Sequence, residues 1–237
     1  LPGVTAVLTA ADLPRFPELP PPSAVRVMPF SDDRIRYEGQ PVAIVLAESV
    51  EAAEAGRAAV IVDCEAEAPV LIGHGRREPV MDEDRVDVDA ALAGAEIRIE
   101  QTYLQAPRHH HAMETSGTVA RWDGGRLTLW DSVQASSTVI PVVSAAFGLD
   151  AADVRVVAPH TGGGFGAKGY IWPHEILAAA AARVAGRPVK LHLRRPDQFS
   201  NVGYQPWMEQ TIRLGATADG VLLGLEHEVV NNTALAD

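Results

Sequence analysis

The chain has 237 residues, with 31 acidic side chains against 20 Lys and Arg and a net charge of −11. Phosphate binding draws on clustered cations that release counterions, so this balance argues against a nucleic-acid partner. No apolar run approaches the roughly 20 residues that cross a bilayer, and the single cysteine, Cys64, can neither close an internal disulfide nor supply the thiolates of an iron–sulfur cluster.

Val4 to Thr9 predicts a strand, followed by a short helical turn at Ala10-Ala11-Asp12-Leu13 that Pro14 limits. Phe16 to Pro22 reads as an extended, proline-rich spacer. Arg36 to Leu46 reads as strand, turn and strand with Gly39 at the bend, and Ser49 caps a helix that presents Ala52, Ala55 and Ala59 on one face. Val60 to Cys64 reads as a strand that buries the cysteine. From Ala66 to Arg85 the periodicity fades and Gly, Pro and mixed charge take over, as in an interdomain linker.

Asp87 to Ala93 predicts a brief helix, and Ala95 to Tyr103 alternates as a half-buried strand. Leu127 to Trp130 follows a Gly124-Gly125 hairpin turn. Ser137 to Phe147 predicts a helix with Pro141 near its first turn, and Val154 to Val157 a strand. Pro173 to Val184 is the strongest helix: Pro173 suits its first position, Gly186 its end, and Pro188 bars continuation.

Between these last two elements lies Thr161-Gly162-Gly163-Gly164-Phe165-Gly166-Ala167-Lys168-Gly169. Glycine loses more conformational entropy on folding than any other residue, so so many in one loop point to backbone brought close to a ligand.

The loop resembles the GGGFGxK segment of the molybdenum hydroxylases, the large subunits of the xanthine dehydrogenase, aldehyde oxidoreductase and carbon monoxide dehydrogenase group, in its bacterial aldehyde-oxidising branch. Further segments are similar to the same family in the same order. Leu1-Pro2-Gly3-Val4-Thr5-Ala6-Val7-Leu8-Thr9-Ala10-Ala11-Asp12-Leu13 and Arg36-Tyr37-Glu38-Gly39-Gln40-Pro41-Val42-Ala43 resemble its α/β-hammerhead domain. His111-Ala112-Met113-Glu114 and Gly186-Arg187-Pro188-Val189-Lys190-Leu191 resemble its cofactor domain.

The resemblance implies an α+β chain: an N-terminally incomplete hammerhead over 1–75, a linker over 76–94, and the N-terminal portion of a molybdopterin-binding domain over 95–237. The chain opens on Leu1 and reads as an excerpt of a longer polypeptide. The glutamate that serves as base in relatives is expected outside it, so no residue here is assigned a catalytic role and the excerpt alone is expected to be inactive.

Further implications follow from the family. Gly163, Gly164, Phe165 and Gly166 lie beside the molybdenum-molybdopterin cofactor, in its cytosine dinucleotide form. The Phe165 backbone amide donates toward an oxygen ligand of the metal, and the Gln134 side-chain amide does the same. Xanthine oxidisers carry a glutamate just after the loop lysine, where this chain has Gly169; the substrate pocket is thus more open and favours aldehydes or simple N-heterocycles over xanthine. The reaction is oxidative hydroxylation with water as oxygen source. Electrons leave through 2Fe-2S and FAD groups on partner subunits, in a homodimer of heterotrimers, cytoplasmic or periplasmic.

Other readings compete. His109-His110-His111 suggests zinc, yet adjacent strand residues point to opposite faces, which leaves at most His109 and His111 to share an ion with no cysteine to help. Glu114 reads as a structural acceptor rather than a base. Gly164-x-Gly166-x-x-Gly169 also fits a dinucleotide fingerprint, with Arg194-Arg195 suited to an NADP phosphate in a Rossmann-type oxidoreductase, although Pro159-His160-Thr161 separates strand from loop. A scaffold module of the same fold that holds no metal is the remaining alternative.

Overall fold

The computed structural model describes residues 1–20, 28, 30–69 and 81–232. In chain order its elements are β1 (Val4–Leu8), β2 (Ile44–Ala47), α1 (Val50–Ala58), α2 (Val88–Ala93), β3 (Ile97–Gln105), β4 (Gly117–Asp123), β5 (Arg126–Asp131) and α3 (Ser136–Phe147). Then follow β6 (Val154–Val157), α4 (Pro173–Ala185), β7 (Val189–His192), β8 (Met208–Ala216) and β9 (Leu222–Asn231). The described residues fall into two compact units, one formed by residues 1–64 and 109–204, the other by residues 65–108 and 205–232.

The first unit is built on a four-stranded sheet in the order β6-β5-β4-β7. β4 runs antiparallel to both neighbours, and β5 and β6 are parallel. The β4–β5 hairpin closes through Gly124 and Gly125, with φ of 53° and 88°, the two left-handed positions that a two-residue turn between twisted strands demands. α3 ends at Gly148 in the left-handed conformation, and Pro141 lies within the helix rather than in its first turn.

α4 shows why its sequence is a run of alanines. Ala178, Ala179 and Ala182 join Leu127, Leu129, Val139, Val142 and Ile176 in the core against the sheet. Leu177, Ala180 and Ala181 face a second core made by Leu8 and Leu13 with Ile44 and Leu46 of β2. A helix buried on two sides at once needs short side chains to let both layers approach, and Ala178 to Ala181 are each 0% exposed. As expected, Pro173 opens α4 and Gly186 closes it in the left-handed region.

β1 and β2 form an antiparallel pair covered by α1, whose Ser49 side chain accepts the Ala52 N–H at 3.2 Å. The α1 packing face differs from the expected one: Gly56 is buried and Ala52 half-buried, while Ala55 and Ala59 are exposed. Two further expectations are corrected here. Arg36 is not in a strand; its N–H donates to the Gln40 side chain, and its guanidinium bonds Asp32, contacts that replace a ladder. Val60 to Cys64 forms no strand and Cys64 is exposed, because a β-branched run needs a neighbouring strand and none pairs with it among the described residues.

In the second unit β3, β8 and β9 form an antiparallel sheet in that order. α2, capped by the Asp87 side chain, lies on it. Gly215 and Gly224 are register partners; a Cβ on Gly224 would stand 2.8 Å from Ala91 of α2, and one on Gly215 would stand 2.9 Å from Ala95, just past the Gly94 cap, and 3.0 Å from Leu92. The helix can therefore touch the sheet backbone. Arg213 ties it down by bonding both Asp89 and Glu226. β3 forms as expected, but every residue except Gln105 is exposed, so it is not half-buried.

Candidate functional site

The glycine loop is held from two sides. At its entry the Thr161 hydroxyl donates to the Val133 carbonyl at 2.9 Å. The Gly162 N–H donates to Glu114 Oε2 at 2.8 Å, and the Glu114 N–H returns a bond to the Gly162 carbonyl at 3.0 Å. At its exit the Gln134 N–H donates to the Lys168 carbonyl at 2.9 Å. Gln134 Oε1 accepts the N–H groups of Gly166 and Lys168 at 3.0 and 3.2 Å.

These last two bonds fix which way the amide points. Only its oxygen can accept, so Nε2 is left as the outward, donating end of an exposed side chain. Gly164 lies against that side chain: a Cβ there would stand 2.6 Å from Gln134 Cγ and closer still to the amide.

What the clamps leave over is a short run of backbone in unusual conformations. Gly163, Phe165 and Gly166 have φ of 94°, 55° and 101°. Among the described residues the N–H groups of Gly163, Gly164 and Phe165 bond nothing. Successive free N–H groups on backbone of alternating handedness concentrate positive potential. The Phe165 side chain is 72% exposed, so the left-handed backbone at a non-glycine residue is not explained by side-chain burial. Gln134, Gly163, Gly164, Phe165 and Gly166 are thus brought together. Gly169 sits at the loop exit, its N–H bonded to the Gly166 carbonyl at 3.0 Å.

Lys168 reaches back across the loop to Glu114, Nζ to Oε2 at 2.8 Å, with its side chain 2% exposed and that of Glu114 42% exposed. Glu114 also lines an open groove of about 280 Å3 with Thr118, Trp130, Ser132, Lys190 and His192. Partial burial raises the Glu114 carboxyl, but the Lys168 ammonium and the Gly162 N–H outweigh it, and the net is a lowered pKa. Glu114 is an ionised acceptor, in keeping with the sequence expectation.

Beside Lys168 lies a buried group of three titratable residues, Asp131, His174 and Glu175, whose ligating atoms lie within 4.8 Å of one another. Desolvation pushes Asp131 up to about 6, partly offset by the Thr118 hydroxyl that donates to it at 2.7 Å. Desolvation also holds His174 down to about 3 and raises Glu175 well above its ordinary value, with the Asp131 charge adding to the latter. His174 Nδ1 is 3.1 Å from Glu175 Oε2 without hydrogen-bond geometry; with the imidazole neutral this is a polar contact rather than an ion pair. A cation here would meet both the positive N-terminal end of α4 and the field of Lys168, so the group serves better as a set of proton-bearing residues than as a metal centre. Glu175 also caps its helix by accepting the Trp172 N–H at 3.0 Å.

His109 and His111 do not form a metal pair. Their rings, 6.1 Å apart, are both in edge contact with Phe199, and among the described residues no third ligand joins them. His110 instead lies beside the loop, its Nε2 3.6 Å from where a Cβ on Gly166 would stand.

The Rossmann reading is corrected by the topology and by the arginines. A dinucleotide fold needs a parallel sheet whose strand runs straight through the glycines into a helix. Here β4 is antiparallel to its neighbours, and residues 158–172 separate β6 from α4. Arg194 is engaged by Asp197 at 2.7 and 3.0 Å, and Arg195 donates to the Ala112 and Met113 carbonyls at 2.7 Å each. Both are structural clamps. Sequence reasoning missed the buried trio; its signal was the polar pair His174-Glu175 at the head of an otherwise apolar helix.

Comparison with known proteins places this geometry. Residues 74–236 match the molybdopterin cofactor-binding domain family, and residues 1–68 match the aldehyde oxidase and xanthine dehydrogenase a/b hammerhead domain. The chain is 31% identical over 245 residues to the aldehyde oxidoreductase molybdenum-binding subunit PaoC of Escherichia coli (strain K12), covering 96% of this chain and 32% of that protein. It is 34% identical over 263 residues to the carbon monoxide dehydrogenase large chain of Hydrogenophaga pseudoflava, covering 97% and 33%. The structure of reconstituted CO dehydrogenase from Oligotropha carboxidovorans superimposes with a TM-score of 0.82 at 30% identity, over 97% of this chain and 32% of that one. The chain spans about a third of the length of these relatives. With the glycine loop, its glutamine clamp and the hammerhead strands all in place, the chain belongs to the molybdopterin cofactor-binding family of the aldehyde oxidase and xanthine dehydrogenase group.

Proposed function

We propose that this chain forms the molybdenum-facing part of an enzyme that hydroxylates aldehydes or simple N-heterocycles with oxygen taken from water. The observation that carries the reading is the run of three unbonded N–H groups at Gly163, Gly164 and Phe165, next to a Gln134 amide turned with its donor outward. These residues fit an anionic metal-pterin group: they offer four neutral donors within one loop and its clamp, and none adds negative charge. When bound, that group supplies the two-electron redox chemistry. The chain's own residues orient it. Gln134 and the Phe165 N–H would hold the group by donating to it, while Gly163, Gly164 and Gly166 would let the backbone come close. Pre-aimed donors of this kind stabilise charge without reorganising, which is where such sites gain rate.

The base is assigned to sequence outside this chain. Gly169 leaves the substrate side without the carboxylate that xanthine oxidisers carry, which favours an aldehyde. The cofactor is read as the cytosine dinucleotide form, with 2Fe-2S and FAD groups on partner subunits in a dimer of heterotrimers. The division into a hammerhead over 1–75, a linker over 76–94 and a cofactor domain over 95–237 belongs to the same reading. Among the described residues no helix is long and apolar enough to cross a membrane. The test is oxidation of benzaldehyde to benzoate by the full-length protein with its partner subunits, under strictly anaerobic conditions with an artificial electron acceptor. Turnover without dioxygen supports the reading, and an absolute requirement for dioxygen contradicts it.

A further inference from the structure

Glu114 lies 48 residues before Gly162 and 54 before Lys168, yet one of its carboxylate oxygens takes a hydrogen bond from each, both at 2.8 Å. Its own N–H donates to the Gly162 carbonyl. The approach is close enough that a Cβ on Gly162 would stand 2.6 Å from Glu114 Cβ, so glycine is required there. Lys168, in turn, is fixed through its main chain by Gln134, which bonds both its carbonyl and its N–H. These contacts form a closed circuit: Gly162 to Glu114, Glu114 to the Lys168 ammonium, Lys168 to Gln134, and Gln134 to Gly166. The stretch inside that circuit contains the three free N–H groups. The Lys168 ammonium is buried with Glu114 as its one hydrogen-bonded partner among the described residues, so the pair cannot be relaxed into solvent from the lysine side.

We propose that Glu114 is a positioning residue that, through the buried Lys168 ammonium, sets the spacing between the two ends of the glycine loop and so aims the free N–H groups of Gly163, Gly164 and Phe165 at an anionic group. The inference rests on the reading of the loop as a cofactor cradle. Glu114 itself touches no reacting atom. Arg195, which grips the Ala112 and Met113 carbonyls, holds the segment that delivers Glu114 to the loop.

The experiment compares wild type, Glu114→Gln, Lys168→Met and the double variant in the full-length protein with its partner subunits. Molybdenum per chain is measured by elemental analysis. Hydrogen exchange is followed in a peptide covering residues 161–169 and in a control peptide covering residues 176–182 of α4. Glu114→Gln keeps an oxygen that can accept from both Gly162 and Lys168 but leaves the buried ammonium without its counter-charge, so loop protection is expected to fall at least about tenfold, with loss of most of the metal. Lys168→Met leaves the Glu114–Gly162 bond intact and loses less. The double variant removes both charges and is expected to recover the loop protection and metal content of Lys168→Met, a rescue that general damage to packing would not give.

Wild-type protection and metal content in Glu114→Gln would overturn the proposal, as would a double variant no better than Glu114→Gln. If Glu114→Gln fails to fold, the control peptide loses protection as well, and the double variant decides: a match to Lys168→Met supports the proposal, and collapse overturns it. Wild type that holds no molybdenum would defeat the cofactor reading instead, while the exchange pattern still judges the clamp.

Discussion

The Gln134 side chain occupies the space that a Cβ on Gly164 would need, so the loop glycine and the glutamine that clamps the loop are a matched pair. The glycine is explained by a contact within the protein before any ligand is considered. Gly164→Val is expected to push Gln134 off Gly166 and Lys168, at a cost of about 1–3 kcal/mol for overpacking. Its metal content, measured by elemental analysis of the full-length protein, should fall well below wild type. Undiminished loading would show that Gln134 can move aside without consequence.

Gln134→Glu separates two jobs of one side chain. The carboxylate can still accept the Gly166 and Lys168 N–H groups, so hydrogen exchange of the loop should stay near wild type. The donor end is gone, and a negative charge takes its place beside an anionic group. Turnover should fall by about one to two decades, the equivalent of a lost hydrogen bond of roughly 1–3 kcal/mol. Gln134→Ala should lower both loop protection and turnover. Equal effects of the two variants on exchange would refute this division of roles.

Much of this was legible in the sequence. The glycine loop, the Gly124-Gly125 hairpin and the Pro173 and Gly186 ends of α4 are local signals, set by backbone conformations that few residues adopt. What escaped depends on residues far apart in the chain. No local pattern joins Glu114 to Lys168, or tells that the alanines of α4 are buried from two sides. β8 and β9 escaped notice, and the Gly215 and Gly224 pair that seats α2 is visible only once their register is known. Val60 to Cys64 and β3 carried strand-like composition, but strand formation and burial are decided by what lies alongside.

The proposed place of Gly169 on the substrate side is open to test by substitution. A Cβ there meets the Gly166 carbonyl at 3.2 Å, and its backbone is not left-handed, so Gly169→Glu requires that carbonyl to give by a few tenths of an ångström. Wild type is expected to prefer benzaldehyde to hypoxanthine in kcat/KM. The variant should shift that ratio toward the purine by about one to two decades, the value of one directed hydrogen bond. A wild-type preference for hypoxanthine would contradict the assignment.

Asp131 should reveal itself in the pH dependence of stability. Burial holds its carboxyl at about 6 against the ordinary 3.8, so between these values the folded chain binds more proton than the unfolded one. Its stabilising contribution is therefore complete below pH 3.8 and is lost as pH rises through 6, a change of about 3 kcal/mol. Asp131→Asn has no such dependence. His174, held down to about 3, weakens the fold as pH falls below 6.5, but it does so in both proteins and cancels in the difference. Urea unfolding at pH 4 and pH 7 should show wild type losing about 2 kcal/mol relative to Asp131→Asn, most of that change. A difference that stays constant with pH would mean that Asp131 is not buried as described.

The central claim is that the three free N–H groups and Gln134 cradle a molybdenum-pterin group. Its most direct test is the metal and pterin content of the full-length protein, purified from a host that loads the related aldehyde oxidoreductases. About one molybdenum and one pterin per chain is the predicted result. Protein that is folded and assembled with its partners yet holds neither would contradict the account and leave a scaffold that keeps the fold without its chemistry.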